Sequence, residues 1–204
     1  EVGVSGVDPT SGNRHVVSGA TVGEGVGLTG EGGESGASSV AVEADGQIVV
    51  GSGTLWVRVD PVSGNRTLIR GPLTGDGLPS APYDLIVEPG GQLVAIDNSP
   101  FATVVRVDPH SGHLTVLSGG FIFAESTIGN GPRFQRLAGI AREMSGQFVV
   151  VDQVLKAVPR VDPGNGNRTI LSDATRGHGP LLEVPEGIVV EASGQLLVTD
   201  RAQG

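Results

Sequence analysis

One eight-residue segment occurs four times in this sequence, and its recurrence limits the folds that the chain can adopt. The copies begin at Val7, Val59, Val107 and Val161, and three of them read Val-Asp-Pro-x-Ser-Gly-x-x. Proline fixes φ at the second position of a tight turn, aspartate bonds the backbone two residues further on, and glycine takes the left-handed conformation that closes the loop. Because each copy lies between two apolar runs, the segment predicts the same β-hairpin four times.

A second turn recurs between these hairpins. Its copies are Asp45-Gly46-Gln47, Gly90-Gly91-Gln92, Ser145-Gly146-Gln147 and Ser193-Gly194-Gln195. In the second sector the two turns separate four predicted strands, at 83–88, 92–97, 103–108 and 114–118. Four strands in up-and-down order are the unit of a β-propeller blade. Glycine-rich loops at 75–79, 129–132 and 177–180 then lead to the next blade.

The phase of the repeat predicts how the propeller closes. The chain begins in the third strand of a blade and ends after the second strand of another. We therefore predict an all-β, four-bladed propeller, a single domain over 1–204, in which the N-terminal strands complete the last blade and leave no open edge. Its complete blades are predicted at 38–71, 83–119 and 138–172, and its last blade from 186–200 together with 1–19.

Composition agrees with this architecture and excludes several partners. The chain has 34 glycines and 13 prolines but apolar residues in short runs, which is typical of an all-β protein. A net charge of −9 without a basic stripe argues against nucleic acid, and no apolar run is long enough to span a bilayer. No cysteine is present. The sequence begins at Glu1, without an initiator methionine or signal peptide, as expected of a mature product or an excised piece.

One stretch resembles a known group of repeats. Residues 187–200, Gly-Ile-Val-Val-Glu-Ala-Ser-Gly-Gln-Leu-Leu-Val-Thr-Asp, look like an NHL-type propeller repeat, and the pattern is similar to repeats of gluconolactonase-like and virginiamycin-lyase-like propellers. The resemblance covers all four sectors. It implies a propeller fold, usually of six or seven blades in those families, and it brings lactonase and lyase activities into consideration.

Three aspartates form a candidate metal site. Asp97, Asp152 and Asp200 each close the second strand of a predicted blade, and we assign Gly51 to the equivalent position of the remaining blade. Second strands are expected to end at the top face of the propeller, so these carboxylates would converge on the central channel and hold Ca²⁺, which prefers oxygen ligands. The alternative is that each aspartate caps its own loop through backbone N–H groups.

Five residues that depart from the repeat are candidate ligand-binding residues of the top face. They are Tyr83, Asp84, Arg142, His178 and Glu186. Arg142 stands where the other sectors have valine, and a buried arginine needs a partner, so it is expected to pair with a carboxylate or to recognise a ligand carboxylate or sugar. His178 lies in a glycine-rich loop and has no positioned nucleophile near it in sequence.

The other cationic side chains have a structural interpretation. Arginines flank the recurring Asp-Pro turn on both sides, so they are expected to form charge ladders with acidic side chains at the rim; they are Arg14, Arg58, Arg66, Arg106, Arg160 and Arg168. Trp56, the only tryptophan, is expected to pack between blades.

The sequence leaves two functional hypotheses open. The first is a secreted (extracellular or periplasmic), non-catalytic propeller that binds a small molecule, a saccharide or other copies of itself, with oligomers or fibres formed by exchange of the split blade. The second is an enzyme, a metal-dependent lactonase-like hydrolase or a lyase, with its site at the top of the central channel and Ca²⁺ as the candidate cofactor.

Overall fold

The structure, a computed structural model, describes residues 3–29, 36–72, 80–98, 102–120 and 127–201. Within these ranges the chain forms sixteen strands and no helix. No helix in them is therefore long and apolar enough to cross a membrane. The predicted glycine-rich loop at 75–79 lies outside the described residues.

The strands follow one another at short intervals along the chain. The first eight are β1 (Val4–Val7), β2 (Arg14–Ser18), β3 (Ala37–Val42), β4 (Ile48–Ser52), β5 (Leu55–Val59), β6 (Arg66–Arg70), β7 (Pro82–Val87) and β8 (Leu93–Asp97). The second eight are β9 (Thr103–Val107), β10 (Leu114–Gly119), β11 (Leu137–Arg142), β12 (Phe148–Asp152), β13 (Val158–Val161), β14 (Arg168–Ser172), β15 (Pro185–Val190) and β16 (Leu196–Asp200).

These strands form three complete blades and two half-sheets. Blade 1 (β3–β6), blade 2 (β7–β10) and blade 3 (β11–β14) are four-stranded antiparallel sheets with the strands in chain order. The N-terminal half-sheet (β1–β2) and the C-terminal half-sheet (β15–β16) have two strands each. The prediction of four-stranded antiparallel blades is confirmed.

The recurring Asp-Pro turn closes each outer hairpin in the same way. In blade 1 one carboxylate oxygen of Asp60 accepts the N–H groups of Val62 and Ser63, at 3.0 and 2.7 Å. The N–H of Gly64 donates to the Asp60 carbonyl, and Gly64 has a φ of 74°, which favours glycine. The same bonds form at Asp8 and Asp108. At Asp162 the carboxylate accepts the N–H of Gly164 and the side-chain amide of Asn165, and the N–H of Gly166 donates to the Asp162 carbonyl. The repeated segment therefore sets the register of every outer hairpin in the described ranges.

The hydrophobic core lies between the sheets, which pack face to face in chain order. Val94 and Ile96 of blade 2 contact Ile140 and Phe148 of blade 3, and all four are buried. Equivalent clusters join blade 1 to blade 2 and blade 3 to the C-terminal half-sheet. Trp56 is fully buried between blades 1 and 2, as predicted. The first strands of successive sheets, β3, β7, β11 and β15, contact one another and form the innermost layer.

The predicted joining of the two ends into one blade is not observed. The half-sheets are separate in the described structure, and no strand pairing links 4–18 to 185–200. The N-terminal half-sheet packs Val4 and Val17 against blade 1, whereas the C-terminal half-sheet packs on blade 3. Each half-sheet thus packs on its chain neighbour, and the two lie at opposite ends of the stack. The count of four blades is not confirmed.

Candidate functional site

The strand-end aspartates hold the loops of their own sheets. Asp152 is buried, and its carboxylate accepts the N–H groups of Gln135 and Arg136 from the loop before β11, at 2.7 and 3.2 Å. It also accepts the N–H groups of Val154 and Leu155 in the turn after β12, at 3.1 and 3.0 Å. This arrangement is the loop cap that the sequence offered as the alternative to a metal ligand.

The other two aspartates act in the same way. Asp97 accepts the N–H of Ala81 at 2.8 Å, and Asp200 accepts the N–H groups of Glu183 and Val184 at 2.6 and 2.9 Å. Within the described ranges no group of three or more histidine, aspartate or glutamate side chains is arranged to hold a metal ion. The three carboxylates do not fit a Ca²⁺ site, because their oxygens face separate loops.

The equivalent residue in blade 1 is Ser52, and the assignment of Gly51 was wrong. Ser52 pairs with Ala37 as Asp97 pairs with Pro82 and Asp152 with Leu137. Its hydroxyl donates to the carbonyl of Leu28, in the loop before β3. The position was not recognisable from the sequence, because a serine here holds the loop that an aspartate holds in the other sheets.

The structure does not bring the five predicted ligand-binding residues together. Arg142 lies at the far end of β11, where it pairs with Phe148, whereas the top-face end of the same strand pairs with Asp152. Its placement on the top face was therefore wrong. The expected carboxylate partner is also missing among the described residues, and the Nε atom of Arg142 is buried without a hydrogen bond. Strand direction explains the error. Arg142 is the last residue of β11, whereas Tyr83 and Asp84 lie near the start of β7, the equivalent strand of blade 2.

The remaining candidates have different surroundings. Tyr83 and His178 are exposed, and the side chain of His178 makes no hydrogen bond or ion pair with the part of the chain that is described. Glu186 lies 3.3 Å from Arg201 in an exposed ion pair. Asp84 is half-buried; it accepts the N–H of Leu85 at 2.9 Å and that of Ile140, in the next blade, at 3.0 Å. Burial raises the pKa of Asp84, although these two N–H groups act to lower it.

Asp84 lines a groove of about 490 Å³ between β1 and β3, which we call the end groove. Its walls are Gly3, Val4, Ser5, Ala37, Ser38, Ser39, Val40, Val50 and Asp84. The hydroxyl of Ser39 is buried here and has no hydrogen-bond partner among the described residues. Within the described ranges the N-terminal half-sheet has two strands where each of blades 1 to 3 has four, and β1 pairs only with β2. The end groove lies between β1 and the first strand of blade 1.

Apolar side chains are exposed where the half-sheets leave a face uncovered. Val40 and Val42 of β3 are 59% and 62% exposed, whereas Leu85 and Ile140, at the position of Val40 in the next blades, are 3% exposed. Val189 and Leu197 of the C-terminal half-sheet are 53% and 52% exposed. The uncovered faces lie at the two ends of the stack, so one end presents a groove and the other presents a two-stranded sheet.

The arginines of the outer hairpins divide into two groups. Those before the turn form two-point ion pairs with a glutamate of their own blade, as predicted: Arg58 with Glu43, Arg106 with Glu88 and Arg160 with Glu143. Those after the turn differ. Arg66 and Arg168 donate to backbone carbonyls of the loop that enters their blade and to a serine of the preceding sheet. The prediction that they join the charge ladders was wrong.

The fold is similar to that of several solved propeller proteins. One is the nidogen/laminin complex, with a TM-score of 0.68 and 15% identity over 97% of this chain and 64% of the other. A second is a gluconolactonase-like protein, with a TM-score of 0.60 and 16% identity over 93% and 61%. A third is virginiamycin B lyase from Staphylococcus aureus, with a TM-score of 0.56 and 14% identity over 81% and 49%.

These similarities concern the fold alone. The chain spans between 24% and 64% of the length of the solved structures described by these comparisons. No protein-family model matches the sequence, and no curated protein matches it. The predicted resemblance to NHL-type and gluconolactonase-like repeats is nevertheless confirmed at the level of structure, since the chain has the blade architecture that the nidogen, gluconolactonase-like and virginiamycin lyase propellers share.

Proposed function

We propose that this propeller is a binding module that associates with further copies of itself through the uncovered faces of its two half-sheets. The observation that carries the proposal is the pairing of an empty end groove beside β1 with an uncovered two-stranded sheet at β15–β16. Unpaired strand edges add further strands readily, because the main-chain donors and acceptors are already aligned. An extracellular or periplasmic location stays a prediction that accompanies this proposal.

The groove has the chemistry of a strand-binding surface. Val4, Val40 and Val50 form its apolar part, and Ser38, Ser39 and Asp84 form its polar part. Successive strand residues point to opposite faces, so an added strand would place apolar side chains on the valines. Its backbone would lie near the Ser39 hydroxyl, for which the described part of the chain offers no partner. A small molecule or saccharide would use only the polar part.

The first experiment measures association of the whole chain by sedimentation velocity over a wide concentration range. A double variant, Val189→Lys with Leu197→Glu, charges the uncovered face of the C-terminal half-sheet. We expect association of the original chain and at least a tenfold weaker association of this variant, since charges on a buried apolar face are costly. Val62→Lys is the matched control, because Val62 is 95% exposed and belongs to neither half-sheet. A chain that is monomeric throughout contradicts the proposal.

A second candidate function, a lactonase-like hydrolase or lyase, is favoured by one observation. Asp84 combines a raised pKa with a place in the end groove, and a carboxylate of that kind is suited to general-base catalysis. The described residues supply no fitting metal site, so no metal-dependent step is assigned. Hydrolysis of a simple lactone, assayed with and without Ca²⁺, tests this function. Activity that Asp84→Asn abolishes, with the fold retained, would favour the enzyme over the binding module.

A further inference from the structure

Two junctions between sheets are held by the same set of polar contacts, which we call the Arg–Ser junction. At the first, the Ser18 hydroxyl donates to the carbonyl of Gly64 at 2.7 Å, and Nη1 of Arg66 donates to the Ser18 oxygen at 2.7 Å. At the second, Ser118 donates to the carbonyl of Gly166 at 2.6 Å, and Arg168 donates to Ser118 at 2.8 Å. In each case the serine lies at or next to the end of the last strand of one sheet, and the arginine begins the last strand of the next.

A Gly-x-Gly loop completes each Arg–Ser junction. The N–H of Asn130, in Gly129-Asn130-Gly131, donates to the side-chain oxygen of Asn167, and the N–H of Arg168 returns a bond to the Asn130 carbonyl, both at 2.7 Å. Glu24, in Gly23-Glu24-Gly25, makes the same pair of bonds with Asn65 and Arg66, at 2.9 and 2.7 Å. A Cβ at Gly23 or Gly129 would overlap the facing carbonyl, so these glycines permit the close backbone approach.

Backbone carbonyl groups, which carry no net charge, accept the hydrogen bonds of the guanidinium group at these junctions. Nε of Arg168 donates to the carbonyl of Pro132 at 2.7 Å, and Nη1 donates to that of Ile128 at 2.8 Å. Nε of Arg66 donates to the carbonyl of Val26 at 2.7 Å. Burial lowers the pKa of Arg168, and the charge of Arg133 lowers it further. Several fixed donors of a planar group must match several fixed carbonyls, so the contact is specific in geometry.

The junction between blades 1 and 2 uses the same contact with the roles exchanged. Arg70 stands at the position of Ser18 and Ser118, and Leu114 stands at the position of Arg66 and Arg168. The buried guanidinium of Arg70 donates to the carbonyl of Gly112 at 2.6 Å. A guanidinium therefore joins the sheets at every complete junction, and the turn glycines 64, 112 and 166 each lie against a carbonyl of the preceding sheet.

Each end of the chain carries one half of an Arg–Ser junction. At the N-terminal end, Gly12-Asn13-Arg14 repeats the Gly-Asn-Arg of 64–66 and 166–168, and no heavy atom lies within 4 Å of a Cβ built on Gly12. Within the described ranges the Arg14 guanidinium makes no hydrogen bond or ion pair.

The other half lies between blade 3 and the C-terminal half-sheet. Ser172 ends β14 as Ser18 ends β2, and Gly177-His178-Gly179 has φ angles of 99° and 122° at its glycines, like Gly23-Glu24-Gly25 and Gly129-Asn130-Gly131. A Cβ on Gly179 would meet nothing within 4 Å. The Ser172 hydroxyl makes no hydrogen bond with the residues that the structure describes. This loop therefore has the junction conformation without the arginine turn that fills it elsewhere.

We infer that a second copy of this chain is the partner, and that Gly12-Asn13-Arg14 of one copy docks on Ser172 and Gly177-His178-Gly179 of the other. The inference rests on the proposed function. Arg14 would donate to the Ser172 hydroxyl and to the carbonyl of Pro180, and Asn13 would accept the N–H of His178. The same docking brings β16 beside β1 and lays Val189 and Leu197 on Val40 and Val50, as Ala41 and Val49 of blade 1 lie on blade 2.

The absence of cysteine permits a direct test by disulfide trapping. Separate Asn13→Cys and His178→Cys chains are mixed in equal amounts and oxidised. We expect a disulfide-linked heterodimer in good yield, since the equivalent residues 167 and 130 are bonded to each other. A mixture of Asn13→Cys with Val62→Cys is the control and is expected to give little product. Association without this cross-link would overturn the inference and leave the proposed function standing, whereas no association at all would overturn both.

Two further variants distinguish docking between two copies from docking of the two half-sheets of one chain on each other. The double variant Asn13→Cys with His178→Cys is expected to give linked oligomers when oxidised, and a monomer with an internal disulfide would overturn the inference in favour of closure within one chain. Arg14→Leu, which mimics Leu114, is expected to weaken self-association about 10- to 100-fold, the range for lost bonds to a charged group. Arg136→Leu, at an exposed arginine away from both halves, is its control; an equal effect of the two changes would also overturn the inference.

Discussion

Blade 3 and the C-terminal half-sheet have nearly the same sequence pattern, and they differ in what covers them. Strand β12, Phe148–Asp152, is buried at every position, whereas β16, Leu196–Asp200, alternates between half-buried and exposed. Both strands follow a Gly-Gln turn and end in an aspartate that caps its own loop. The repeat sequence therefore determines the strand and its turns, whereas the burial of the strand's side chains depends on a neighbouring sheet on each side.

The largest expected difference between these regions concerns the core position shared by Phe148 and Leu196. Phe148→Ala should destabilise the chain by about 3–5 kcal/mol, the usual cost of emptying a fully buried aromatic site. Leu196→Ala should cost about 1–2 kcal/mol, because Leu196 is only half-buried. Urea unfolding of the monomer measures both values. Equal costs would show that the C-terminal half-sheet is already covered in the single chain.

The second comparison sets the filled Arg–Ser junction against the open one. Arg168→Leu should cost about 2–4 kcal/mol, because the carbonyls of Ile128 and Pro132 lose their donor in a buried site. Arg14→Leu should change monomer stability by less than about 0.5 kcal/mol, since its guanidinium is exposed. Thermal unfolding at a concentration below association gives both numbers. A large loss for Arg14→Leu there would mean that Arg14 has a partner within its own chain.

The third comparison concerns the aspartate caps. Asp152→Ala removes four backbone hydrogen bonds at a buried site and should cost about 2–3 kcal/mol. Asp200→Ala removes the bonds to Glu183 and Val184 at a more exposed site and should cost about 1 kcal/mol. Calcium should not alter either value if the carboxylates are caps. Tight Ca²⁺ binding that disappears in Asp152→Ala, with stability unchanged, would contradict this role; isothermal titration with Ca²⁺ and urea unfolding decide between the two.

The smallest expected effect is a difference in pKa between equivalent turn aspartates. Hydrogen bonds from Ser63 and then Gln47 lower the pKa of Asp60 from 3.8 to about 2. Hydrogen bonds from Ser11 and Thr10 lower the pKa of Asp8. In the described structure its half-sheet lacks the hairpin that carries Gln47 in blade 1, so Asp8 has no equivalent of the bond from Gln47. We expect Asp60 to titrate below Asp8 by NMR, and Gln47→Ala to bring the two values together.

The sign of the accompanying stability change follows from the lowered pKa. The ionised form of Asp60 is favoured in the folded state, so its contribution is complete above pH 3.8 and is lost as the pH falls through about 2. Asp84 has a raised pKa, so its effect is opposite: its contribution is complete below pH 3.8 and is lost as the pH rises through the raised value. Asp60→Asn should therefore flatten the acid limb of the stability curve, and an unchanged limb would contradict the assignment.

The sequence was sufficient to predict the strands and the turns, because both are local. Asp60 and Gly64 fix their hairpin with backbone bonds that reach five residues at most, so the same segment gives the same turn in four places. The ion pairs of Arg58, Arg106 and Arg160 were predictable for a similar reason, since each joins strands of one blade.

The contacts between sheets were not predictable from the same patterns. Arg66 bonds Ser18, which lies 48 residues away in sequence. Its turn differs from that of Arg14, which is exposed, only by Val62 in place of Thr10, so the turn sequence does not distinguish the two arginines. The Gly-x-Gly copy at 23–25 was overlooked, although its spacing from Ser18 would have indicated the Arg–Ser junction. Arg142 was assigned to the wrong end of its sheet, because the sequence does not reveal the strand register that sets this position.

The most direct test of the account is hydrogen exchange, followed amide by amide, at a low and a high protein concentration. Exchange protection of β1 and β16 is expected to rise at the high concentration, because each would then pair with a strand of a second copy, while β8 and β12 stay equally protected throughout. Protection of β1 and β16 that is absent at both concentrations, or already complete at the lower one, would contradict the claim that two copies complete each other's sheets.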